Sequence, residues 1–255
     1  MVLLLLVDLD PQLAALGRLG GFFVLRTGAP PAAPPPTLAE AYADPPAAAR
    51  PGSDGHPLAT RVRRVAAGIR APEPRIAASV AHQALAARLW SVALACAALT
   101  GEVPDLDPRL LRWDPAGSAP DDLWLAEVRP LPGDADTLVR LVLDRHLEPL
   151  AAALRGRYRL APGLLRGNAA SALAGAARQL DRWAGENGHP EAGERARRLT
   201  ARLLVHPGLA GTGTLTGTAF RRRSCCLYYR VPGGGVCGDC CFTRAPRSSP
   251  RATSG

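Results

Sequence analysis

Five of the six cysteines fall inside one short stretch, RRRSCCLYYRVPGGGVCGDCC, Arg221 to Cys241. Cys225 and Cys226 are adjacent, ten residues follow, Cys237 and Cys240 form a CxxC pair, and Cys241 stands directly behind. Thiolates so crowded either oxidise to one another or share an electropositive centre, so three chemistries compete: disulfides, a structural zinc, or an iron-sulfur cluster. Context weighs against the first. The opening MVLLLLVDLD has no basic n-region and its apolar run breaks at Asp8. No run reaches the roughly 18 apolar residues of a membrane span. The expectation is therefore a chain that is neither secreted nor membrane-spanning, hence cytoplasmic or at the cytoplasmic face of a membrane, where a reducing thiol pool disfavours disulfides.

Zinc also takes four thiolates, so ligand type alone does not choose between the metals. Spacing helps, because structural zinc sites commonly pair well-separated knuckles and adjacent Cys-Cys ligands are unusual there. Two irons would each need two protein thiolates, and the sequence leaves open how four are shared. The insert reads as a hairpin: LYYRV, Leu227 to Val231, has strand composition, and PGGG, Pro232 to Gly235, can turn it back. Gly238 within the CxxC would permit a tight turn with N–H groups aimed at sulfur.

The elements that must carry this segment are mostly helical. With 255 residues, 47% of them hydrophobic, the chain can build a sizeable core. Arg75–Leu99 places Leu85, Leu89, Val92, Cys96 and Leu99 at alternating spacings of four and three, one helical face on which Cys96 reads as a small buried hydrophobe. GEVPDLDP ends that helix at Gly101 and Pro104. Thr137–Arg155 repeats the pattern at Leu143, Leu147, Leu150 and Leu154, with a kink expected at Pro149 and His146 read as a surface or boundary residue. A further helix is expected to begin at Asn168 as N-cap and to show Leu173, Ala176, Leu180 and Trp183 on one side. Glu191–Val205 is the last, with Ala192, Ala196, Leu199 and Leu203 inward. Residues 121–131 read as a strand or a short helix. The Pro-rich stretches Ala29–Thr37 and Asp44–Pro57 read as loops, and Gly211–Phe220 as a flexible connector.

The fold class expected is mainly α: an N-terminal segment, residues 1–57, packing on a helical domain, 58–210, followed by a small cysteine-rich β-hairpin motif with a basic tail, 211–255. Net charge is +9, and all 31 basic residues are Arg. Arg221 to Gly255 holds seven Arg against the single Asp239, which could attract nucleic acid or another anionic partner. The abundance of Ala, Gly, Pro and Arg is that of GC-rich coding, and it weakens charge as a functional clue.

SCCLYYRVPGGGVCGDC resembles the C-terminal signature of the FhuF-like ferric-siderophore reductases, whose C-C-x10-C-x2-C cysteines bind a 2Fe-2S cluster. RIAASVAHQALAARLWSVALACAALTGEVPDLDPRLLRWDP, HLEPLAAALR and LLRGNAASALAGAARQL are also similar to that family, so the likeness runs from about residue 60 to 241, with a weaker likeness around GGFF. The resemblance implies Cys225, Cys226, Cys237 and Cys240 as cluster ligands, with Cys241 surplus, and an iron-sulfur oxidoreductase of siderophore iron transport. It implies a ferric siderophore as substrate and an inner-membrane siderophore permease as a candidate partner.

Reduction suits such a substrate, because anionic oxygen donors hold Fe(III) far more strongly than Fe(II), and one electron releases the metal. Arg221, Arg222, Arg223 and Arg230 stand close to the cysteines in sequence, should raise the potential of an anionic cluster, and could also attract acidic chelates or a redox partner. Arg75, Ser79 and His82, at spacings of four and three on one helix, could line a docking surface, as could Trp113. With no nucleotide-binding glycine loop or flavin motif, the electron must come from another protein or a small reductant. The rival class is a zinc-stabilised, Arg-rich protein engaging nucleic acid or a protein partner. Against it, the basic tail lacks a recognition helix, and no nucleic acid is expected as partner.

Overall fold

Pro74–Thr100 is apolar around its whole circumference, and a helix of that kind must be enclosed. In the computed structural model, which describes residues 13–28, 33–43 and 55–246, it is the central helix. Among the described residues it alone is long and apolar enough to cross a membrane, yet 72% of its most apolar window is buried inside the protein. Length and hydropathy here serve a core. The expectations for residues 1–12, 29–32, 44–54 and 247–255 lie outside the described residues.

In chain order the helices are α1 (Leu38–Tyr42), α2 (Pro57–Gly68), α3 (Pro74–Thr100), α4 (Ala135–Leu138), α5 (Glu148–Tyr158), α6 (Pro162–Glu186) and α7 (Pro190–Leu204). α3 packs along α6, which packs in turn against α7, and α2 lies against α3. The mainly α reading holds. Strands are short: β1 (Arg26–Thr27), β2 (Glu102–Pro104), β3 (Leu111–Trp113), β4 (Leu123–Leu125), β5 (Pro130–Pro132), β6 (Gly213–Thr216) and β7 (Ala219–Arg222). β4 is central in a three-stranded sheet, parallel to β1 and antiparallel to β3, while β2 pairs β5 and β6 pairs β7. Leu13, Leu16, Leu19, Phe23, Leu25 and Leu38 join the same core as the helices.

A buried ion pair fastens that N-terminal segment. Arg88 on α3, 2% exposed, donates to Asp122 at 2.9 Å and to the carbonyls of Gly21, Phe22 and Val24, so every face of the guanidinium is used. A buried charge survives only when paired and hydrogen-bonded in this way.

Several local expectations need correction. Asn168 does not cap a helix: α6 starts six residues earlier, with Pro162 in its first turn, where a missing N–H costs nothing, and Asn168 is fully buried in its interior. His146 is buried rather than at the surface. Its Nε2 lies 2.5 Å from the Leu106 carbonyl and must donate to it, which leaves Nδ1 to accept from the Tyr42 hydroxyl at 2.9 Å. Burial lowers its pKa to about 4. The helix around it is not regular, since Val139–Leu147 is π-helical and α5 resumes at Glu148. Pro149 has no N–H and crowds the preceding turn, and the wider π turn takes up that misfit. Residues 121–131 hold β4 and the start of β5. Gly211–Phe220, expected as a flexible connector, forms most of the β6–β7 hairpin, in which the β-branched Thr214 and Thr216 run up to a two-residue loop at Gly217 and Thr218.

Candidate metal centre

The cysteine segment leaves β7 and lies over the α3–α6 pair. Its insert is not the expected hairpin. Leu227 takes a left-handed conformation, φ 71°, and Tyr228–Arg230 is a single 3-10 turn. The cause is visible at Cys225, whose sulfur accepts the Leu227 N–H at 3.2 Å, a bond that curls the chain before a strand can form. PGGG does reverse the chain, and Gly234 is required there, because a Cβ would stand 2.6 Å from the Tyr228 carbonyl oxygen. Tyr229 meets Phe242 edge to face at 5.8 Å, which closes the segment on itself, and Arg230 pairs with Glu73 at 2.8 Å, which ties it to the start of α3.

The sulfurs of Cys226 and Cys237 are 3.5 Å apart. Two thiolates on one tetrahedral metal at about 2.3 Å stand roughly 3.8 Å from each other, so this pair is spaced for a shared metal. Cys225 and Cys240 each receive the backbone N–H of the second residue onward, Leu227 at 3.2 Å and Phe242 at 3.4 Å. Such bonds stabilise thiolate charge and are a general means of tuning iron-sulfur centres. The tight turn expected at Gly238 is present, closed by the Cys240 N–H on the Cys237 carbonyl at 3.0 Å without a left-handed φ, but among the described residues the Gly238 N–H makes no hydrogen bond to a cysteine sulfur. Among the described residues no three His, Cys, Asp or Glu side chains gather around one point as a mononuclear ion would need. The thiols stand instead as a chain of neighbours, Cys226 touching both Cys225 and Cys237, with Cys241 touching Cys240. Contact with its neighbours holds the Cys226 thiol far below the ordinary range, Cys225 first and Cys237 second, while the same contacts push those two up. Cys96 is remote, 2% exposed, and burial raises its thiol to about 12, so it stays protonated.

Beneath the thiols lies Arg222, 2% exposed. Its guanidinium donates to Asn168 Oδ1 at 2.6 Å, to the Leu164 carbonyl at 3.3 Å and to Gln83 Oε1 at 3.3 Å, while its Nε has no partner. Among the described residues no carboxylate lies within ion-pair distance of it. Its positive charge acts on Cys226, Cys237 and Cys241, in each case favouring thiolate. An uncompensated buried cation beside a group of thiols fits an anionic cluster bound above it, and the donor set fits iron in pairs.

The helices hold this base through residues that the sequence reading assigned elsewhere or passed over. Ser79 Oγ donates to the Cys226 carbonyl at 2.8 Å, and Asn168 Nδ2 donates to the Ser79 carbonyl at 2.9 Å. Asp239, inside the CxxC, accepts from Ser171 Oγ at 2.6 Å and pairs with Arg178 at 3.3 Å, and its carbonyl accepts the Arg222 N–H. Asn168 and Ser171 could have been found as polar side chains one turn apart in a stretch, residues 167–177, otherwise of glycine, alanine and leucine.

Gly167 sits on α6 against the segment, where a Cβ would lie 2.2 Å from Ser224 Oγ and 3.1 Å from the Arg222 guanidinium. Gly167→Val should therefore push the segment off α6. The expected outcome is a loss of about 1–3 kcal/mol in stability with poor cluster retention, read by thermal unfolding and visible absorption. A variant as stable and as coloured as wild type would show that this approach is not needed.

Of the residues expected to meet the substrate, Ser79 and Trp113 as docking surface and Arg222 as an attracting charge, all three are buried and cannot contact it. Ser79 and Arg222 belong to the base of the centre. Trp113 packs under Arg61, whose guanidinium stands 5.0 Å from the ring centroid. His82 is also buried, with its pKa lowered to about 3 by desolvation first and the charge of Arg222 second. Arg75 is exposed and paired with Glu73 at 2.7 Å, and Arg221 and Arg223 are exposed on either side of Arg222.

Residues 222–242 match the family model described as FhuF 2Fe-2S C-terminal domain. The chain is FhuF-like in this segment, and the cofactor of the segment is a 2Fe-2S cluster, which decides between zinc and iron-sulfur. No curated protein and no solved structure gives a significant match to the chain.

Proposed function

We propose that this protein is a ferric-siderophore reductase in which Cys225, Cys226, Cys237 and Cys240 hold the cluster. The observation that carries the reading is Arg222, a buried cation with no carboxylate partner among the described residues, placed under thiols of a segment that matches a 2Fe-2S domain. Bound there, the cluster supplies one electron at a time. The surrounding residues do the rest: Leu227 and Phe242 donate N–H bonds to sulfur, Arg222 offsets thiolate charge, and Ser79, Asn168 and Asp239 fix the segment to the helices. In the substrate, Fe(III) is held by hard oxygen donors that bind Fe(II) much less well, so gain of one electron frees the metal. The electron is replaced by an external protein or small reductant, and a siderophore permease is a candidate partner.

The aerobically purified protein should be red-brown and should bleach with dithionite. After anaerobic addition of a ferric hydroxamate or ferric carboxylate chelate, the colour should return, with one Fe(II) trapped by a chelator for each electron lost. A coloured protein whose reoxidation is no faster than buffer iron alone produces would leave the cluster assignment standing and remove the reductase reading.

A further inference from the structure

Between α3 and α6, directly beside the CxxC turn, lies a cavity of about 480 Å³, within the size range of small-molecule sites. Its walls include Gln83, Arg178, Gln179 and Arg182 from the helices, and Cys237 and Asp239 from the segment. Cys237 is at once a proposed cluster ligand and part of the wall, so a molecule in the cavity reaches the edge of the redox centre. The cavities lined by His82 and by Cys96 touch none of the segment's thiols.

The lining mixes polar side chains with alanines and glycines, and Phe22, 40% exposed, is its one aromatic side chain. Its charged groups are Arg178, Arg182 and Asp239. The Asp239 carboxylate is already committed, to Ser171 and to Arg178. Arg182 is exposed and makes no ion pair among the described residues, so the cavity presents net positive charge to whatever enters it.

We propose that this cavity holds the iron chelate during reduction, and that it takes anionic oxygen-donor chelates, of the catecholate or carboxylate class, ahead of neutral hydroxamates. The proposal rests on the reductase reading. An anionic chelate would otherwise be repelled by the thiolates, and Arg182 together with the buried Arg222 offsets that repulsion. Once the metal is reduced the chelate gains a negative charge and the metal loses affinity for its oxygens, so release follows from the same electron.

Gallium(III) copies the charge of Fe(III) without accepting an electron, which separates binding from reduction. The probes are an anionic gallium tricatecholate and a neutral gallium trihydroxamate, titrated calorimetrically into the cluster-loaded protein. Gly175 gives a clean block, because a Cβ there meets nothing nearer than Arg178 Nη2 at 4.0 Å and the helix tolerates the change. Gly175→Leu should weaken the tricatecholate at least tenfold while the visible spectrum and reoxidation by dissolved oxygen stay as in wild type. Arg182→Gln, an exposed change that leaves packing alone, should weaken it about threefold at low salt and less at high salt. Equal tricatecholate binding by wild type and Gly175→Leu, no binding by wild type, or tighter binding of the trihydroxamate would each overturn the proposal. Gallium binding that responds to Gly175→Leu, alongside reduced protein that never passes its electron to the ferric chelate, would sustain the site and sink the reductase reading. Ferric chelate reduced equally fast by wild type and Gly175→Leu would do the reverse.

Discussion

Serine at Cys225, Cys226, Cys237 or Cys240 should yield a protein that has lost its iron-sulfur absorption, while Cys96→Ser and Cys241→Ser stay coloured. The hydroxyl is a poor ligand for iron that the thiolates would otherwise share in pairs, and removal of one ligand breaks a pair. Cys96 is enclosed by α3 and its surroundings, and burial keeps its thiol protonated, so it contributes packing and not charge. Cys241 touches Cys240 but lacks the N–H bond that Cys225 and Cys240 each receive among the described residues. Because metal binding is also folding energy, the four variants should lose hydrogen-exchange protection across residues 223–242 while α3 and α6 keep theirs. A colourless Cys96→Ser together with any coloured variant among the four would show that the ligand assignment is wrong.

How far the sequence led is clearest at α3 and Asn168. α3 was legible because its pattern is local: a long run of Ala, Leu and Val with Gly101 behind it has few other ways to bury itself. Asn168 was misread for the converse reason. Read locally, Asn before a run of small residues is a good N-cap, and only the partner it meets, Arg222 from 54 positions away, makes it an interior residue. Tertiary pairing overrode local preference in LYYRV as well, where the thiol of Cys225 captured the N–H a strand would have used. The cysteine spacing could identify the centre, since ligand spacing is itself a local signal. The base beneath it could not be read, because Ser79, Asn168, Ser171 and Asp239 acquire their roles from helices crossing the segment. The same holds for the arginines. RRR is one cluster in sequence, but alternation along β7 exposes Arg221 and buries Arg222, and Arg223, just past the end of the strand, is exposed again.

That alternation separates three arginines that sequence alone treats as equivalent. Arg222→Gln should lower the cluster potential, whereas Arg221→Gln and Arg223→Gln should change it little. The reduced cluster carries one more negative charge than the oxidised one, so a nearby cation favours the reduced form and its removal shifts the potential down. For a unit charge roughly 8 Å away at an effective dielectric constant of about 20, the interaction is about 2 kcal/mol. With 59 mV per tenfold for one electron, that corresponds to a drop on the order of 50–100 mV, measurable by a dithionite redox titration followed in the visible. Exposed arginines act through water and salt and should contribute a small fraction of this. Glutamine can still donate to Asn168, so the anchoring hydrogen bond need not be lost along with the charge. Arg222→Met removes both, and if charge is the cause it should shift the potential as Arg222→Gln does while costing more stability. In the protein stripped of iron the sign of the stability effect should change for Gln, because a buried cation without its anion is a burden on the fold and its removal relieves it. A larger shift from Arg221→Gln or Arg223→Gln than from Arg222→Gln would mean that the surface field, and not the buried guanidinium, sets the potential.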